Sequence, residues 1–148
     1  MRPPTSKEME AGMKQFVQGS RDRLKRAVAA GVPIAAGSDE YYQVGKCTRG
    51  ESSTLIYEAY KEAGMTPWQI IQAATVNAAQ LLGWDDRIGS IEQGKFADIV
   101  ATASDPSQDI TELEKVKFVM KGGEVVRNDL VPATKSGTPA KSPNCTTF

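Results

Sequence analysis

The stretch Gly31-Val32-Pro33-Ile34-Ala35-Ala36-Gly37-Ser38-Asp39 decides how this chain is read. It is a short, continuous apolar run without polar alternation, the pattern of a strand buried on both faces, as in parallel sheets. Pro33 stands near its start, where a missing N–H is best tolerated. Asp39 closes the run and places a carboxylate where the predicted strand ends. A polar loop then extends to about Gly50. An aspartate at such a place also serves simply to cap a turn or the next helix.

Upstream, Thr5 and Glu8 stand in the S/T-x-x-E relation of a capping box. Met9, Met13, Phe16, Val17, Leu24, Ala27 and Val28 recur near a 3.6-residue period, and Gly31 suits the left-handed residue after a helix end. An amphipathic helix over 5–30 follows, with a one-sided apolar stripe that something must cover. Downstream, a second helix is predicted over 52–63, with Leu55, Ile56, Ala59 and Tyr60 on one side. Thr66, Pro67 and Gln69 make a complete helix start: an N-cap, proline at the first helical position and glutamine at the third. Ile70, Ile71, Ala74, Ala78, Leu81 and Leu82 give that third helix its buried face before Gly83 ends it.

From Asp85 the texture changes. Residues 87–95 are turn-rich, 96–101 read as a strand, and the alternation over 114–120 predicts a half-exposed strand. Lys121-Gly122-Gly123-Glu124 fits a hairpin turn into Val125-Val126-Arg127. Residues 131–148 are poor in apolar side chains and are predicted to be a disordered tail.

The composition narrows the chemistry. The 148 residues carry 18 Lys plus Arg against 18 Asp plus Glu, so no basic surplus marks a nucleic-acid or anionic-membrane surface. No apolar run approaches the ~20 residues that span a bilayer. There is no histidine, which excludes a Ser-His-Asp triad, a Cys-His pair and histidine-ligated zinc for this chain acting alone. Cys47 and Cys145 are too few for a disulfide framework or a four-thiolate zinc site, and Cys47 is read as a plain free thiol. Asn144-Cys145-Thr146 matches a glycosylation sequon by chance.

Five segments in this order resemble the C-terminal end of a metal-dependent hydrolase of the amidohydrolase superfamily, in its imidazolonepropionase and Xaa-Pro dipeptidase-like branch. They are residues 31–39; Ala63-Gly64-Met65-Thr66-Pro67; Ala74-Thr75-Val76-Asn77-Ala78-Ala79-Gln80-Leu81-Leu82-Gly83; the run 87–100, which includes Arg87-Ile88-Gly89-Ser90 and Gly94-Lys95-Phe96-Ala97-Asp98; and Val119-Met120-Lys121-Gly122-Gly123-Glu124-Val125-Val126. The resemblance implies an α/β fold: the C-terminal fragment of a (β/α)₈ barrel followed by strands of a small β-sandwich. Residues 1–85 would hold the last helix–strand–helix units of the barrel, and 86–130 the returning sandwich strands. A whole barrel takes about 250 residues, so the chain is expected to be part of a larger enzyme.

In such enzymes the aspartate at the position of Asp39 approaches the catalytic metal and acts as general base toward metal-bound water. The resemblance therefore implies a divalent metal, zinc, in the intact enzyme. Asp39 would be one ligand there, and none would bind tightly to this chain alone, since the family's histidine ligands would lie upstream of Met1. Tyr41, Tyr42 and Arg49, in the loop after Asp39, are candidate contacts for a substrate ring or carboxylate, against the simpler reading of a polar loop. The expected function is hydrolysis of C–N bonds of amide or peptide type in a small or peptide-like substrate. The partners are then that substrate and a missing N-terminal part or a second copy, with no nucleic acid and no membrane. The alternative is a non-catalytic remnant that pairs with itself or with a separate N-terminal chain. A cytoplasmic protein is expected if Met1 is the true start, and an export signal is open if it is not.

Overall fold

A computed structural model describes residues 5–39 and 47–130. The tail reading over 131–148 lies outside these residues. Helix α1 runs Ser6–Ala29 behind the expected capping box: the Thr5 N–H donates to Glu8 Oε2 at 2.7 Å and the Glu8 N–H to Thr5 Oγ1 at 3.3 Å. The box satisfies two of the N–H groups that every helix start leaves without an internal acceptor. No residue of α1 is buried. Met9, Met13, Phe16 and Val17 are spaced to share one face, and all four are exposed.

Residues 32–39 are extended but join no sheet, which corrects the strand expected over 32–38. The reason is pairing: a strand exists by its ladder, and no described segment lies alongside to supply one. The helices take up part of its backbone. Ala36 N–H donates to the Ala73 carbonyl at 2.8 Å, and Asn77 Nδ2 donates to the Ile34 carbonyl at 2.9 Å. Ile34 and Ala36 pack on a core of Met65, Ile70, Ala73 and Ile110, where Val28, Tyr57, Tyr60, Ile71 and Leu113 also converge.

The second predicted helix is two helices, α2 (Arg49–Thr54) and α3 (Ile56–Glu62), and the third is likewise α4 (Pro67–Ala74) and α5 (Val76–Leu82). Both breaks share a cause. Thr54 Oγ1 donates to the Glu51 carbonyl at 2.8 Å, and the Leu55 N–H turns to Ser52 O at 3.2 Å. Thr75 Oγ1 donates to Ile71 O at 2.7 Å, and its own N–H turns to Gln72 O at 3.2 Å. In each case a threonine hydroxyl occupies the carbonyl that the next i→i−4 bond would use, so the ladder slips to i→i−3 and the axis bends. Thr66 and Gln69 form the expected capping box at α4, and Thr48 with Glu51 forms another at α2.

After α5 the chain turns on Gly89 (φ 93°), which lies so close to α5 that an added Cβ would stand 2.7 Å from Ala79 Cβ. Three short strands follow: β1 (Ile99–Ala101), β2 (Phe118–Lys121) and β3 (Glu124–Asn128), antiparallel in the order β1-β2-β3. Among the described residues they form one sheet, without the second layer of a sandwich. The strand expected over 114–120 begins only at Phe118, because Ile110–Lys115 form a 3₁₀ turn. Asp109 starts that turn by accepting the Thr111 N–H at 3.1 Å, and Ile110 anchors it as a fully buried side chain. Gly122 and Gly123, both with positive φ, make the two-residue hairpin that the sequence predicted. Asp98 clasps this turn: its carboxylate accepts the Gly122 N–H at 2.6 Å and pairs with Lys121 Nζ.

Candidate active site

Asp39 sits at the exposed end of the extended segment. It is the only described residue other than glycine with positive φ, 49°. Aspartate tolerates this left-handed conformation better than most residues, and such conformations collect at functional turns. The turn carries the Asp39 carboxylate beyond the apolar run, while the run itself is gripped by α3, α4 and α5.

Three groups make that grip. The Ala73 carbonyl and the Asn77 amide act as above, at Ala36 and Ile34. The third is Tyr60, which packs on the core that Ile34 and Ala36 join; burial raises its pKa, and the Gly37 backbone N–H pulls it partly back. Burial likewise raises the Tyr57 pKa, with neighbouring Tyr60 adding to it. Ile34 and Ala36 are thus each hydrogen-bonded to a helix, and Asp39 follows three residues later.

The other expected site residues are placed less fully. Tyr41 and Tyr42 lie outside the described residues. Arg49 is the first residue of α2 and is exposed. Cys47 is buried and disulfide-bonded, which corrects the free thiol expected from its isolation in sequence; the sequence holds one other cysteine, Cys145, outside the described residues. Its sulfur is therefore neither a nucleophile nor a thiolate ligand.

The donor set does not fit a metal by itself. Among the described residues no group of three His, Cys, Asp or Glu side chains converges, whereas a catalytic zinc takes three protein ligands and keeps one open position. Tyr60 and Asn77, which fix the segment carrying Asp39, have no local sequence signal pointing to that task. Asn77 reaches across 43 positions to Ile34.

Known proteins resemble this chain in sequence and in fold. The chain is 35% identical over 126 residues to the imidazolonepropionase of Geobacillus kaustophilus, covering 80% of this chain and 28% of that protein. A solved Xaa-Pro dipeptidase with methionine in its active site superposes with a TM-score of 0.66 at 36% identity, over 73% of this chain and 25% of that one. Molinate hydrolase superposes with a TM-score of 0.64 at 28% identity, over 84% of this chain and 30% of the other. The chain thus spans between a quarter and a third of the length of these relatives. A match to the amidohydrolase family covers residues 13–126, and the chain belongs to that family.

Proposed function

We propose that this chain supplies the proton-carrying aspartate, and the scaffold that holds it, to an amidohydrolase site that cleaves C–N bonds of amide or peptide type. The observation that carries this reading is Asp39 itself: an exposed carboxylate on a left-handed turn, at the end of an extended apolar segment fastened to three helices. Its family membership and the names of its relatives support the same chemistry. A carboxylate oxygen of Asp39 takes a proton from the attacking water as the water oxygen bonds to the amide carbon. The same oxygen then returns that proton to the leaving nitrogen as the C–N bond breaks. One group thus serves as base and then as acid, with no net proton gained or lost. The zinc implied by the resemblance is not held by the described residues, and its remaining ligands belong to residues beyond them. The test is hydrolysis of a panel of N-acyl amino acids and dipeptides by the protein as its gene encodes it, in zinc-containing buffer. Asp39→Asn should lower kcat about a hundredfold or more. A variant as active as the parent would remove Asp39 from the chemistry.

A second reading is favoured by one observation, the uncovered face of α1 beside a segment without a ladder. On that reading the chain is a non-catalytic remnant that pairs with itself or with a separate N-terminal chain. Turnover by the protein as its gene encodes it separates the two: no hydrolysis of the same amide panel in zinc-containing buffer, with a stable assembly by sedimentation, supports the remnant.

A further inference from the structure

We infer that Tyr60 and Asn77 are positioning residues for Asp39, acting from the helix side through the backbone of residues 34–37. The functional part of this inference rests on Asp39 being the proton carrier.

An apolar strand in a sheet is ordinarily fixed by its neighbours, through ladders along both edges. The segment here is held by side chains and by one helix carbonyl. Asn77 Nδ2 reaches the Ile34 carbonyl at 2.9 Å in a half-buried contact. The Ala36 N–H reaches Ala73 O at 2.8 Å. Ile34 and Ala36 are two residues apart, so in an extended chain their backbone groups face the same side. Tyr60 packs on the core that Ile34 and Ala36 join, with its phenol near the Gly37 N–H. The bonds come from the end of α4 and from α5, and α3 adds the packing of Tyr60, so the segment is held at successive points along its length. None of them uses the Asp39 side chain, which is left for chemistry.

The arrangement also gives the Thr75 break a purpose. Thr75 turns the chain between Ala73, which supplies the carbonyl, and Asn77, which supplies the amide. An unbroken helix would hold those two groups about 6 Å apart along one axis in fixed rotation. The break sets each separately against the extended segment.

The test uses the protein as its gene encodes it, with Tyr60→Phe and Asn77→Ala, and Ile71→Val as a control that trims the core without touching these bonds. Backbone hydrogen exchange over 34–39 should speed up about five- to tenfold in the first two variants, the size expected for one lost hydrogen bond, while the β2–β3 hairpin is unchanged. With the N-acyl amino acid and dipeptide panel, kcat should fall about tenfold with KM within about twofold, because the reacting group is displaced while the substrate contacts remain. Unchanged exchange over 34–39, or a rise spread equally over α3, α4 and the hairpin as in a general loss of stability, overturns the inference. So does a fall in activity carried by KM alone. If Asp39→Asn keeps full activity while exchange still rises in the two variants, the proton-carrier reading fails and the backbone anchoring stands. If Asp39→Asn is inactive while both variants match the parent in kcat and exchange, the anchoring inference fails and the reading of Asp39 stands.

Discussion

Gly89 and Ile70 show how much of this chain rests on single side chains, one by its absence and one by its bulk. At Gly89 a methyl group would meet Ala79 Cβ at 2.7 Å and the Thr75 carbonyl at 3.2 Å, on a backbone already at φ 93°. Gly89→Ala should therefore destabilise the fold by about 1–3 kcal/mol, read from a denaturant melt. Ile70 is fully buried at the meeting point of the helices, the extended segment and the 3₁₀ turn. Its truncation to alanine should cost about 2–5 kcal/mol by the same measurement, the range for a cavity left in a packed core. The role of Asp39 came from the resemblance; its place, a lone carboxylate ending an apolar run, was legible from neighbouring positions. Tyr60 and Asn77 were not, because a phenol and an amide on helix faces look alike whether they meet solvent or a distant backbone group. The Cys47 disulfide was also illegible: a lone cysteine in a polar stretch carries no local mark of pairing.

Helix starts were read most faithfully, since a capping box is a local arrangement of two side chains and two N–H groups. The Thr5–Glu8 and Thr66–Gln69 boxes both form as expected. Thr66→Ala should cost about 1 kcal/mol, seen as a lower melting temperature. Helix interiors were read less well. Thr54 and Thr75 carry no local sign of a break, since whether a threonine hydroxyl bonds back to its own helix depends on what the tertiary fold asks of the axis. The half-exposed strand expected over 114–120 failed for a related reason: alternation there competes with the Asp109 cap and the burial of Ile110. The β2–β3 hairpin adds a dependence on pH. Pairing with Lys121, and then the Gly122 N–H, hold the Asp98 carboxyl below its ordinary value of 3.8. A depressed folded-state pKa stabilises above the unfolded value, and that contribution is lost as pH falls through the folded one. Hydrogen exchange in the hairpin should therefore quicken below about pH 4, and Asp98→Asn should remove that added acid sensitivity while loosening the turn at neutral pH.

The complete chain has two faces whose neighbours are not among the described residues: the apolar stripe of α1 and the ladderless run over 32–39. No described helix is long and apolar enough to cross a membrane. The zero formal charge does little to oppose association near neutral pH. The 148-residue chain expressed by itself should bind a hydrophobic dye and sediment above monomer mass, and Phe16→Glu should reduce both signals without lowering the melting temperature. An unaltered Phe16→Glu profile would place the sticky surface elsewhere. The α/β class was legible because it needs only element types in order. The barrel and sandwich were not decidable, because each is a relation among strands and only three strands pair among the described residues.

The attachment of α1 has a mechanical consequence. Among the described residues the helix is tied to the rest of the protein by the Arg21–Glu62 ion pair at 2.8 Å, a solvent-exposed bridge of the kind that contributes little stability, and by the packing of Val28 near its C-terminal end. From Arg21 back to Thr5 the helix extends about 24 Å at 1.5 Å per residue. It is a lever pivoted near one end: tilting it by about 10° would carry its tip through roughly 4 Å, so whatever seats that tip sets the angle of the whole rod.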